Sequence, residues 1–292
     1  MSLSRIALST GVELDVRLAG HRDAPPVILL HGFPESHRTW RHIVPDLARD
    51  RFCVAPDQRG YARSSKPEGV EAYAVERIVA DVVALADALG IERFTLVGHD
   101  WGGAAAWAAA LSRPDRVERL VIVNAPHPLL FQRSLFDDPD QRAASRYVTR
   151  FRDTEIDKGL TGAGLERFFA STFARALTRA VAGEDKAAYL DEWSQPGAMT
   201  AMLNWYRASG IVVPAPGENP PRPAFLDAPF PPVTQPTLVI WGMEDRALLP
   251  VQLDGLDALV PDLTIERIEG AGHFVPWEKP EPVIAAMRRW GV

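Results

Sequence analysis

A single cysteine, Cys53, among 292 residues excludes an internal disulfide and a thiolate metal cluster. It sits in the apolar run Phe52–Ala55, where a small core residue fits better than a reactive thiol. Nowhere do roughly 18 apolar residues run uninterrupted, so no membrane span is expected. The opening segment, MSLSRIALSTGVELDVRLAG, lacks the apolar stretch of a signal peptide, which points to a cytoplasmic protein. Basic residues are the minority, 32 against 38 acidic ones for a net charge of −6, and they form no run that could neutralise a row of phosphates. Nucleic acid is therefore not an expected partner. Internal repeats and low-complexity tails are also missing. What is present is 47% hydrophobic residues, enough to bury a large core in a chain longer than one small domain needs.

Four short runs are apolar on both alternating faces: Val27–Leu30, Phe52–Ala55, Phe94–Val97 and Leu120–Val123. Strands covered by helices on both sides have this pattern. Between them, Trp40, Ile43, Val44 and Leu47 follow helical spacing, as do Val75, Ile78, Val79, Val82, Ala86 and Leu89, with Gly90 as the stop. Arg5–Leu8 and Val12–Leu18 read as an antiparallel hairpin turning at Ser9–Gly11. Alternation of this kind predicts an α/β fold with an open, mostly parallel sheet. From about His127 to Leu226 the strand signal stops and aromatic-rich helical patterns replace it. A proline-dense return, Pro214 to Pro236, follows; it suits neither a central strand nor a long helix. Alternation resumes with Leu238–Trp241, a helix near Val251–Leu259, a strand at Leu263–Ile268 and a terminal helix with Val283, Met287 and Trp290. The expected organisation is a core in two parts, 1–126 and 233–292, with a helical lid at 127–232 over the carboxyl ends of the strands, where open α/β sheets bind ligands.

The stretch Gly98-His99-Asp100-Trp101-Gly102 fits Gly-x-nucleophile-x-Gly between a buried strand and an Ala-rich helix. An aspartate stands where serine is usual. A carboxylate is a weak nucleophile suited to a saturated carbon with a strained or good leaving group, and its attack produces an alkyl ester on the protein. Hydrolysing that ester needs a base. His273, in the loop Gly270–Phe274, is the candidate, with Asp245 as its orienting acid and Glu244 as rival. Nucleophile, acid and histidine follow in the chain order of this fold. Backbone N–H groups of Phe33 and Trp101 are the candidate oxyanion donors, and Pro34 is a candidate cis proline. His21, His31 and His99 read as exposed or structural.

Together HGFPES, RGYARSSKP, GHDWGG, NAPHP, WGMED and GAGHF resemble the α/β-hydrolase superfamily across the whole chain, and within it the epoxide hydrolases. The resemblance implies an eight-stranded sheet with helices on both faces and a cap. It also implies a ring-opening aspartate assisted by two lid tyrosines that hydrogen-bond the epoxide oxygen. Tyr206, in LNWYR, resembles the second of these. Tyr147 resembles the first, with Tyr189 as rival. A phenol is independently suited to hold a departing alkoxide. The substrate implied is a small apolar epoxide, with water as second reactant, no metal or organic cofactor, and a monomer or homodimer. Haloalkane dehalogenases share the aspartate elbow, but their halide site commonly has an asparagine where Phe33 stands. Fluoroacetate dehalogenases carry an arginine in place of Trp101. A serine-type esterase lacks its nucleophile here, and a non-catalytic receptor of this fold would normally have lost part of the Asp100–Asp245–His273 set. Trp205, Trp193, Phe168, Phe169, Met199 and Met202 are equally suited to lid packing and to a pocket wall.

Overall fold

The computed structural model describes residues 2–173, 183–218 and 220–292; part of the expected lid, 174–182 and 219, lies outside the described residues. Eight strands form one sheet: β1 (Ser2–Ala7), β2 (Glu13–Ala19), β3 (Pro26–Leu30), β4 (Phe52–Pro56), β5 (Phe94–His99), β6 (Val117–Val123), β7 (Thr237–Gly242) and β8 (Leu263–Ile268). Their order across the sheet is β1-β2-β4-β3-β5-β6-β7-β8. The sheet is mixed. β2 runs against both β1 and β4, and the remaining neighbours are parallel. The opening hairpin is thus present, with its first strand beginning earlier than Arg5.

The helical segments are α1 (Val44–Leu47), α2 (Val75–Ala88), α3 (Trp101–Ser112), α4 (Pro128–Asp137), α5 (Pro139–Ala144), α6 (Arg146–Arg152), α7 (Ile156–Gly159), α8 (Ala163–Thr172), α9 (Glu184–Ser194), α10 (Ala198–Ala208), α11 (Val275–Glu278) and α12 (Pro280–Trp290). Consecutive strand residues divide between the two faces of the sheet. Ile28, Leu30, Leu96, Leu120 and Ile122 pack with α2 and α3, whereas Val27, Leu29, Val97, Val121 and Val123 pack with α1 and α12. The central strands β3, β5 and β6 are therefore buried on both sides, which is why their sequences are apolar without alternation.

Two expected helices are altered. Around residues 40–47, a 3₁₀ turn at His37–Trp40 precedes the single turn of α1, because Pro45 has no N–H to continue a longer helix. Val251–Leu259 forms two 3₁₀ turns, Pro250–Leu253 and Leu256–Ala258, split by Gly255 at φ +73°. A left-handed residue there ends the helical path.

Helices α4 to α10 lie between β6 and β7 in the chain, and their apolar side chains join the same core face as α2 and α3. In the return from α10 to β7, Ala224–Leu226 is a 3₁₀ turn and the other described residues form no helix or strand. Among the described residues, no helix is long and apolar enough to cross a membrane.

Candidate active site

The carboxyl ends of β3, β5, β6, β7 and β8 deliver Phe33, Asp100, Asn124, Asp245 and His273 to one edge of the sheet. Asp100 stands between β5 and α3 at φ +50°, ψ −121°, a strained backbone for a residue with a Cβ. The strain is held by close packing. A Cβ on Gly32 would come within 2.4 Å of the Asp100 Cβ, and one on Gly102 within 2.3 Å of the Leu30 carbonyl oxygen. Glycine at both positions lets the elbow press against the loop after β3, whose Phe33–Pro34 bond is cis.

Phe33 N–H donates to Asp100 Oδ1 at 2.7 Å. The other oxygen, Oδ2, faces His273 Nε2 at 3.5 Å. Across the ring, His273 Nδ1 lies 2.7 Å from Asp245 Oδ2, which also accepts from Asn124 Nδ2 at 2.9 Å. Asp245 Oδ1 takes the N–H groups of Ala247 (2.8 Å) and Leu248 (2.9 Å). So many donors leave Asp245 as an acceptor, and the His273 proton at Nδ1 is fixed by it. Glu244, its rival, sits exposed on the cavity wall instead. Trp101 opens α3, so its N–H has no carbonyl one turn earlier to bond.

Burial opposes charge on Asp100, but the His273 hydrogen bond and charge, the His99 charge and the Phe33 N–H outweigh it and hold its carboxyl below the usual range. Burial likewise opposes the His273 cation, and the Asp245 and Asp100 carboxylates overcome it, holding the imidazole well above its ordinary value. The charged forms of Asp100 and His273 thus favour one another.

Asp100, His273, Phe33, Tyr147 and Tyr206 line one cavity of about 950 Å³. Tyr147 on α6 and Tyr206 on α10 stand with ring centroids 6.1 Å apart. Burial, then the Asp100 charge, pushes both phenols above their ordinary value, so each keeps its proton and remains a donor. Tyr189 is elsewhere, fully buried among Phe173, Trp193 and Trp277. Of the six aromatic and methionine residues considered for the wall, Phe168 lines the cavity; Trp193 and Trp205 instead bond the Pro34 and Arg59 carbonyls.

Two contributions are not evident from the sequence. Asn124, at φ +41°, bridges β6 and β7 by donating to Asp245 and accepting the Gly242 N–H at 2.8 Å. Its signal is an asparagine, tolerant of left-handed backbone, at the start of NAPHP. The second is His99, read as structural. Its Nδ1 faces the buried Glu35 carboxylate at 3.1 Å and its Nε2 meets the His273 carbonyl oxygen at 2.8 Å. Both ring nitrogens thus face oxygen atoms, which sets the ring between Glu35 and the loop that carries His273. Trp277 holds the other Glu35 oxygen. Only the fold brings these residues together. Among the described residues, no group of three or more His, Cys, Asp or Glu side chains is placed to hold a metal ion.

The sequence profile of the alpha/beta hydrolase fold matches residues 25–280. The chain belongs to this family. This α/β-hydrolase is 33% identical to epoxide hydrolase A of Mycobacterium tuberculosis, over 97% of its own length and 95% of that protein. It is 34% identical to the AB hydrolase superfamily protein YfhM of Bacillus subtilis, over 93% and 92% of the two chains. Among solved structures, one from a study of novel epoxide hydrolases in metagenomes from hot environments superposes with a TM-score of 0.87 at 45% identity, covering 100% of this chain and 99% of the other. The epoxide hydrolase of Bacillus megaterium, solved with an inhibitor, superposes equally well at 30% identity over 98% and 99%.

Proposed function

We propose that this α/β-hydrolase opens epoxides to vicinal diols through an ester on Asp100. The observation that carries the reading is the Asp100 carboxylate itself. One oxygen is held by the Phe33 N–H, the other faces His273, and two protonated phenols share its cavity. The relatives named epoxide hydrolases support the substrate class.

Oδ2 of Asp100 attacks an epoxide carbon in line, and the C–O bond of the strained ring breaks. Tyr147 and Tyr206 hold the departing oxygen, which takes up a proton from a phenol. Esterification removes the Asp100 charge that helped keep His273 protonated. Its pKa then falls, its Nε2 proton passes by way of water to the phenolate left by ring opening, and the imidazole, still oriented by Asp245, becomes a base for water. Water adds to Cγ of Asp100. The resulting oxyanion, derived from Oδ1, is held by the N–H groups of Phe33 and Trp101 at the positive end of α3. Cleavage of the Cγ–Oδ2 bond, with the proton His273 took from water passing to Oδ2, releases the diol with Oδ2 in it; the water oxygen stays on Asp100, whose remaining proton returns to His273 and restores the starting pair. Residues 127–232 act as the cap that brings the tyrosines over a core formed by 1–126 and 233–292. The aromatic walls suit an apolar substrate body.

Incubation with styrene oxide and, separately, 1-bromobutane tests the reading. Phenylethanediol from the first and no bromide from the second is expected. Bromide without diol would overturn the proposal in favour of a dehalogenase.

A further inference from the structure

Three guanidinium groups share the cavity with Asp100: Arg150 on α6, Arg167 on α8 and Arg246 in the loop after β7. Each is exposed, whereas Asp100 is partly buried, so the three stand at the solvent end. No ion pair or hydrogen bond to another described residue engages any of them. Nearby arginines behave differently: Arg152 is tied to the Tyr206 and Ser209 carbonyls, and Arg207 to Asp157. Two carboxylates share the wall. Glu278 accepts the N–H groups of Gly272 and Phe274, and Glu244 forms no ion pair with the three arginines. On a chain of net charge −6, a wall where three arginines outnumber two glutamates is a local departure. The same cavity has an apolar wall, with Phe33 against Phe151 and Phe168 at 5.2 and 6.0 Å.

We propose that the cavity selects epoxides bearing a terminal oxyanion, a carboxylate or a phosphate, at the end of an apolar spacer. The inference rests on the epoxide-opening reading and names its substrate class. The ring sits at Asp100, the spacer runs along the phenylalanines, and the anion is received by the guanidinium forks, whose geometry matches carboxylate and phosphate oxygens. Exposed pairs contribute little singly, so the preference comes from three cations acting together and is sensitive to salt.

The test uses 10,11-epoxyundecanoate, its primary amide and 10,11-epoxyundecyl phosphate, with identical rings and spacers. At low ionic strength an anion is expected to exceed the amide in kcat/KM by roughly tenfold. That ratio should approach one at about 0.5 M NaCl, and likewise in the variant R150Q/R167Q/R246Q. A larger value for the phosphate or for the carboxylate supports the proposal and assigns the group. Diol from the amide with both anion ratios near one in the unaltered protein overturns the anion preference alone. No diol from any of the three, amide included, overturns the epoxide-opening reading and this proposal with it.

Discussion

His273→Gln is expected to form the ester and go no further. Glutamine approximates the size of the ring and keeps an N–H to give to Asp245, but it has no basic nitrogen to activate water. Incubated with styrene oxide, the variant should gain the mass of one substrate molecule per chain while steady-state diol formation falls on the order of 10⁴-fold. The substitution also removes the hydrogen bond and charge that do most to oppose burial, so the Asp100 pKa rises. At about pH 8 the carboxylate remains ionised, and the first step still runs. Intact-mass spectrometry follows the adduct. Diol release at the unaltered rate with no adduct would remove His273 from the scheme.

Tyr206→Phe is the second large effect. The ring stays packed against Phe33, Phe151 and Trp101, so the fold should hold. The donor to the departing oxygen is lost, together with the hydrogen bond between the phenol and the Trp101 side chain. Epoxide opening should fall by roughly 10²-fold, and by more when Tyr147→Phe is added, since positioned proton donors contribute about 10²–10⁴-fold. A halide leaves without a proton, so neither change should create bromide release from 1-bromobutane. An epoxide rate within about twofold of the parent would make Tyr206 a packing residue and leave the alkoxide to another donor.

Much of this arrangement is readable along the chain because its determinants are local. The elbow announces itself through Gly98 and Gly102 beside Asp100, since a strand-to-helix turn this tight excludes side chains at those positions. Strands buried on both faces give apolar runs, and the hairpin and last strand follow their own patterns. Where a single residue interrupts a pattern, as Gly255 does between two 3₁₀ turns, periodicity misleads. Long-range convergence is harder. Nothing in sequence separation shows that Asn124 reaches Asp245, or that Glu35 and Trp277, 242 positions apart, meet beside His99. The choice between Tyr147 and Tyr189 also needed the fold, because both lie on amphipathic helices and only the packing turns one of them into the cavity.

The claim on which the rest depends is that an oxygen atom of Asp100 leaves in the product. With enzyme in excess over styrene oxide, one turnover in H₂¹⁸O is expected to give diol with ordinary oxygen and a peptide containing Asp100 that carries the heavy isotope. Heavy oxygen in the diol from that first turnover would mean that water attacks the epoxide directly, and would contradict the account.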